Sequence, residues 1–442
     1  VKLAVRLALL AWFGARLGDS AFAGDANRHE LRIVPSAVVE LLAAVENGDP
    51  ESLADEAWSS GAAELAPLVE AYASAQPGAS ACFATTLTLD ASRERFFARA
   101  FELAGTDALR SHADALNADA TCPAHAAALA KLIAPKGNGD DVARIARLVD
   151  LASNEPNYEL HAAEKCADAI AALLVREPRA MAAVELAARR SESAGYAMLV
   201  AALGRRGGNE ALDVLSDLVG AFDEHDSLVF SAITQASATA GTSACENAAA
   251  RVRPHLVSAA PTKLQACAAA LGALRDTEAL ADLIELLETS EGGVRKTVHA
   301  SLCRIAERSF PATVSAWKTW HRREVLWYST EAPGQLARAA EGSSADALDA
   351  LRVIGQHPLF RDFLAADIAG LLEHDDPRVR AAACDVSARL RSRHSARPLA
   401  MRLGDEETSV SDAARRALAE ILRADPGADA TECLIRLQRL GL

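Results

Sequence analysis

The sequence repeats itself, and the spacing of the repeats constrains the fold more than any other feature. Leu203, Gly204, Glu210, Ala211, Leu212 and Leu215 return 68 residues later as Leu271, Gly272, Glu278, Ala279, Leu280 and Leu283. Leu286-Leu287-Glu288 through Val294-Arg295 match Leu371-Leu372-Glu373 through Val379-Arg380. Leu372, Val379, Ala383 and Leu390 match Leu403, Val410, Ala414 and Ile421, an offset of 31 residues. Periods of about 20–50 residues belong to arrays in which each unit leans on the next. Within one unit, Leu280, Leu283, Ile284 and Leu287 fall at i, i+3, i+4 and i+7, which predicts a helix over 277–289 with one apolar stripe. Val294, Val298, Leu302 and Ile305 predict a second helix over 294–306. A lone hairpin cannot bury both stripes, whereas a stack of hairpins can. Composition agrees. Pro (16) and Gly (25) are scarce in 442 residues, aromatics are 5%, and the apolar mass is mostly Ala and Leu, both strong helix formers. The fold class expected is all-α: an α-solenoid of antiparallel helix pairs.

The stretch from Leu371 to Ala383, LLEHDDPRVRAAA from 371 on, resembles a HEAT-like repeat of the short bacterial kind that also occurs in phycobilisome lyases. Asp376 is placed to cap the second helix and Pro377 to occupy its first position. The resemblance implies that Arg380 pairs with acidic turn residues of a neighbouring unit; Arg295 matches it, and Ser411 departs from it in the last copy. The resemblance covers about 195–308 and 344–442. The expected organisation is a signal segment at 1–23 and irregular, degenerate helical repeats at 24–190. HEAT-like repeats follow at 191–308, then a Trp-rich insertion at 309–334 and C-terminal HEAT-like repeats at 335–442. Helices expected in the irregular part include 35–46, 62–75, 92–104, 124–133, 140–152 and 158–174.

The first 23 residues have the grammar of a secretory signal: Lys2 and Arg6, the apolar run Leu7–Ala15, then Ala21-Phe22-Ala23 before Gly24. The run is too short to span a bilayer, which takes about 20 apolar residues, and no later segment qualifies. A periplasmic or secreted protein is expected, with no transmembrane segment in the mature chain. Its eight cysteines include no CxxC, so zinc-ribbon and thioredoxin readings fail. Cys166 and Cys267 lie on expected core faces. Cys82 and Cys122 lie near helix ends or loops and are the favoured pair for a disulfide in an oxidising compartment.

A net charge of −14 disfavours nucleic acid as a partner. There is no Walker loop, HExxH, GxSxG elbow or EF-hand spacing, and the eleven His are scattered. No catalytic residue, cofactor or metal is therefore assigned. Two candidate partner-binding features remain. Trp317 and Trp320, with Arg322 and Arg323, form either an aromatic anchor for a protein or a plug between two stacks. The turns Asp223-Glu224-His225-Asp226, Glu288 with Glu291, Glu373-His374-Asp375-Asp376 and Asp405-Glu406-Glu407 form an acidic edge that docks a basic partner or weakly binds divalent cations, or else a set of helix caps neutralised by Arg295 and Arg380. The expected function is an exported protein-binding scaffold without catalytic activity. A structural role in the cell envelope is the rival, and a bilin-lyase-like enzyme the remoter one.

Overall fold

The apolar stripes become buried helix faces. Leu280, Leu283, Ile284 and Leu287 are all buried in helix Leu280–Thr289, and Val298, Leu302 and Ile305 in helix Gly292–Ala306. Burying one such side chain is worth about 1.5–3 kcal/mol, so a pair of helices gains its stability from its neighbours rather than from its own propensity. The computed structural model describes residues 32–439 apart from 47, 61–62, 77–78, 119–120, 154–159, 259, 423–424 and 428. The signal segment expected at 1–23 lies outside the described residues. Among those described, 24 α-helices are joined by short loops and 3-10 turns, with no β-strand beyond an isolated bridge between Arg32 and Phe83. No described helix is long and apolar enough to cross a membrane.

The chain divides into two compact units, 1–206 and 207–442. Each is an α-solenoid of HEAT-like helix pairs. In the first, helix Leu160–Arg176 packs on Pro123–Ile133 and on Ser193–Arg206. The helices expected at 92–104, 124–133 and 140–152 are found as Ala91–Ala104, Pro123–Ile133 and Gly139–Ala152. In the second, Pro261–Leu274 lies between Asp226–Ala236 and Gly292–Ala306, and Pro377–Leu390 lies between Ser344–Ile354 and Thr408–Leu422. Gly272 shows how close these helices come. A Cβ there would sit 2.8 Å from the Ser301 Cα, a contact that only backbone movement could relieve.

The Trp-rich insertion folds as helices Val314–Thr330 and Ala332–Glu341 within the second unit. Trp317 is fully buried, and Trp320 and Trp327 nearly so. The Phe310 and Trp317 rings meet edge to face at 4.9 Å, and Trp317 and Trp320 at 5.8 Å. Trp327 stacks on His357 at 3.7 Å, and His357 Nδ1 lies 3.2 Å from the buried Glu324 carboxylate. Of the two readings of Trp317 and Trp320, this burial fits the plug. Their indoles face inward, because rings this large bury more apolar area in the gap between helix pairs than a surface site would. Arg322 and Arg323 do stay exposed on the outer face of the same helix.

Candidate functional site

Three helices of the second unit end in an unusual way. Helices Pro261–Leu274, Gly292–Ala306 and Pro377–Leu390 are each followed by a residue in the left-handed region: Arg275 (φ 60°), Glu307 (φ 52°) and Arg391 (φ 55°). Glycine is the usual occupant, since a side chain there costs about 1–2 kcal/mol. These are the only non-glycine residues with positive φ among those described, and all three belong to one cluster. Arg275 Nη2 lies 2.9 Å from Glu307, and Arg391 Nη1 donates to the same carboxylate at 2.8 Å. Arg391 also pairs with Glu420. The Glu307 side chain is 10% exposed, so both arginines approach it in a setting where charge attraction is poorly screened.

A groove of about 400 Å³ opens beside this cluster. One wall comes from the ends of the helices at 242–252 and 261–274, carrying Cys245, Glu246, Arg253, Arg275 and Asp276. The other comes from Arg361, Asp362 and Phe363 at the start of helix Arg361–Leu371 and from Arg391, Arg393 and His394. Arg253 is fully engaged, forking onto Asp276 at 2.8 and 3.0 Å and reaching Glu278 at 2.6 Å. Arg361 is not. Its side chain is 2% exposed, its Nη1 donates to the carbonyls of Ile305 (2.9 Å) and Pro358 (3.4 Å), and the Asp362 carboxylate stands 4.0 Å from its Nε. Burial pulls the Arg361 pKa below the usual guanidinium value, with Asp362 and Glu307 opposing the shift. Arg393 donates to the Ala240 carbonyl across 153 residues of sequence, and His394 lies 3.6 Å from Glu246. Phe363 is 69% exposed at the rim, beside the stacked rings of Tyr328 and Phe360. The groove thus offers guanidinium donors and one bare aromatic face. Its cysteine, Cys245, is buried, which pushes the thiol pKa up and away from nucleophilic use. Among the described residues no group of three or more His, Cys, Asp or Glu could hold a metal ion.

The acidic turns serve as caps and anchors. Asp376 accepts the Arg378 N–H at 2.9 Å and its guanidinium at 2.7 and 3.1 Å, which holds the carboxyl well below its usual range. Asp405 accepts Nε and Nη2 of Arg380 at 3.0 and 2.8 Å, which is the pairing that the HEAT-like resemblance implies. The same fork joins Arg110 to Asp141 in the first unit. Arg295 differs and donates to the carbonyls of Leu287 and Ala312. Lys263 takes Asp223 and Asp226, and Lys318 takes Glu288. Glu373 and Asp375 remain exposed. Cys82 and Cys122, in the first unit, are brought side by side, thiol to thiol. Arg275, Glu307, Arg361, Phe363, Arg391 and Arg393 were not singled out from sequence. The one local hint was a charged residue where a helix of this kind usually ends in glycine.

No family model and no curated protein matches this sequence. Among solved structures, the chain is similar to the karyopherin Kap121p bound to RanGTP at 12% identity and a TM-score of 0.39, over 99% of this chain and 52% of that one. It is similar to an engineered protein at 16% identity and a TM-score of 0.32, over 86% of this chain and 100% of that one. A tumor overexpressed gene (TOG) domain array of a microtubule polymerase gives 13% identity and a TM-score of 0.20, over 60% and 76%. The chain spans about half the karyopherin's length. TM-scores this low are no basis for transferring a partner.

Proposed function

We propose that this protein is a non-catalytic, protein-binding solenoid whose docking face is the groove of the second unit. The partner presents an extended, carboxylate-bearing segment with an apolar residue. The observation that carries this reading is a buried guanidinium, Arg361, that faces two carbonyls and a carboxylate at 4.0 Å, next to the bare ring of Phe363. A buried charge whose nearest carboxylate stands 4.0 Å away is costly, and an incoming carboxylate would relieve it. The test uses a fluorescent peptide of alternating Glu and Phe and a Lys-for-Glu control. Anisotropy should report binding of the first alone, weakening with salt, and losing at least tenfold on Arg393→Glu or Phe363→Ala. Equal binding of both peptides, or no binding of either at millimolar concentration, would remove the groove from consideration.

We also infer that the protein is exported, on the strength of the signal-like segment before Gly24. Protein sequencing of the mature chain should begin at Gly24 in the periplasm or the medium. A cytoplasmic chain that keeps Lys2 and Arg6 would end that part of the proposal.

A further inference from the structure

The chain between Ala79 and Ala84 is held against the N-terminal corner of the first unit. The Arg32 N–H donates to the Cys82 carbonyl at 2.9 Å, and the Ala84 N–H donates to the Arg32 carbonyl at 2.8 Å. Cys122 immediately precedes helix Pro123–Ile133. Both cysteines are buried, at 9% and 1% exposure. Their thiols are in hydrogen-bond contact. His125 Nδ1 lies 3.2 Å from the Cys122 Sγ, and the His125 ring rests 5.6 Å from Phe83, centre to centre. Three of the other cysteines have different neighbours: Cys267 lies 3.5 Å from the Val252 carbonyl, Cys303 3.6 Å from His299 and Cys245 4.0 Å from the Ala240 carbonyl.

We propose that Cys82 and Cys122 join as a disulfide that clasps the Arg32–Ala84 corner to the start of helix Pro123–Ile133. The oxidant is a low-molecular-weight disulfide. A thiolate of the pair attacks one of its sulfurs and expels a small thiolate; the second cysteine then attacks the mixed disulfide and expels the other. One S–S bond is broken and one made, and the two protons end on the two small thiols released. The contact with Cys82, and then burial, raise the Cys122 thiol pKa, and His125 is kept neutral by burial and by the charges of Arg32 and His112, so little thiolate exists once the site has closed. The bond therefore forms while this corner is still open and is sealed as it packs. It is a permanent clasp, resistant to reductant in the folded protein.

Mass mapping tests this on the full chain. The protein is refolded with oxidised and reduced glutathione, then digested without reductant. The expected product is one cross-linked species containing Cys82 and Cys122, two mass units lighter than its parts, with the other six cysteines alkylated after denaturation. Reduction of the denatured chain should lower the melting temperature of the refolded protein by about 10 °C, the order expected for opening a loop of this length. Cys82→Ser, Cys122→Ser and the double variant should all melt together, at the reduced value. Alkylation of all eight cysteines in the refolded, denatured, unreduced chain would overturn the proposal, as would a cross-link from either residue to a different cysteine. The mapping needs no variant, so a misfolded variant cannot obscure it. It is also independent of whether the groove of the second unit binds anything.

Discussion

The two units are built from the same helix pair but tie themselves together over different distances. In the first, side-chain links join near neighbours in sequence: Arg144 to Asp114 across 30 residues, Arg110 to Asp141 across 31, Arg99 to Asp55 across 44. In the second, the same kind of link also spans 84 residues from Glu307 to Arg391, and 153 from Ala240 to Arg393. A simple stack is held by contacts between adjacent repeats, so its stability is nearly a sum of local terms. Long ties change that. They make repeats on either side of the Trp-rich insertion depend on each other, and they bring helix ends together into a groove. The difference teaches that a repeat array acquires a site where its periodicity is interrupted and distant repeats can meet.

The insertion is the place to break this comparison hardest. Trp317→Ala should cost the second unit about 3–5 kcal/mol through lost apolar contact and the void left behind, read as a lower urea midpoint. The first unit's transition should stay put. Trp317→Phe is the control. It keeps a ring and removes an indole N–H that has no acceptor in the structure, so it should cost well under half as much. Equal losses from the two substitutions would mean that the insertion is not a packed plug.

Glu307 sharpens the comparison further. Glu307→Gln leaves Arg275 and Arg391 facing each other without their shared counter-charge, near the buried Arg361. The expected loss is about 3 kcal/mol, typical of removing one partner from a largely buried ion pair. The shape of the transition matters more than its midpoint. If the long ties couple the repeats at 207–307 to those after the insertion, the variant should unfold in two steps where the parent unfolds the second unit in one. A single step with an unchanged slope would mean that stacking alone carries the cooperativity.

These two regions also divide what could be read from the sequence. Apolar spacing set the fold class and placed helices such as Ala91–Ala104 and Gly139–Ala152 within a residue or so. A periodic stripe depends only on the local 3.6-residue turn, and Asp376-Pro377 marks a helix start by capping chemistry that needs no tertiary context. That Arg380 pairs with an acidic turn of a neighbouring unit came from the HEAT-like resemblance, and the structure supplies Asp405 as the partner. The groove was not legible. Glu307 meets Arg391 across the insertion, 84 residues on, and a repeat period identifies the next neighbour but not a contact that reaches past it. The tryptophans marked the right segment but left two roles open, since an indole at i and another at i+3 look alike whether that face turns inward or out.

The Arg380 to Asp405 fork gives the smallest effect and a pH dependence with a definite sign. Hydrogen bonds from Arg380 hold the Asp405 carboxyl below its usual range; burial works the other way and is outweighed. A carboxylate with a depressed folded-state pKa binds its proton less readily than the unfolded chain does. Its stabilisation is therefore present in full above the unfolded value of about 4 and is lost as the pH falls through the folded value. Asp405→Asn should cost about 1–2 kcal/mol at pH 7, the worth of hydrogen bonds to a charged acceptor. The gap between parent and variant should shrink steadily below pH 4, because protonating Asp405 imitates the amide. In the Asp405→Asn background the second unit should still lose stability towards low pH, because hydrogen bonds from Lys263, Ser343 and Arg378 also hold the Asp223, Asp346 and Asp376 carboxyls below their usual range. A gap that stays constant from pH 7 to pH 3 would mean that the fork holds the repeats together by shape rather than by charge.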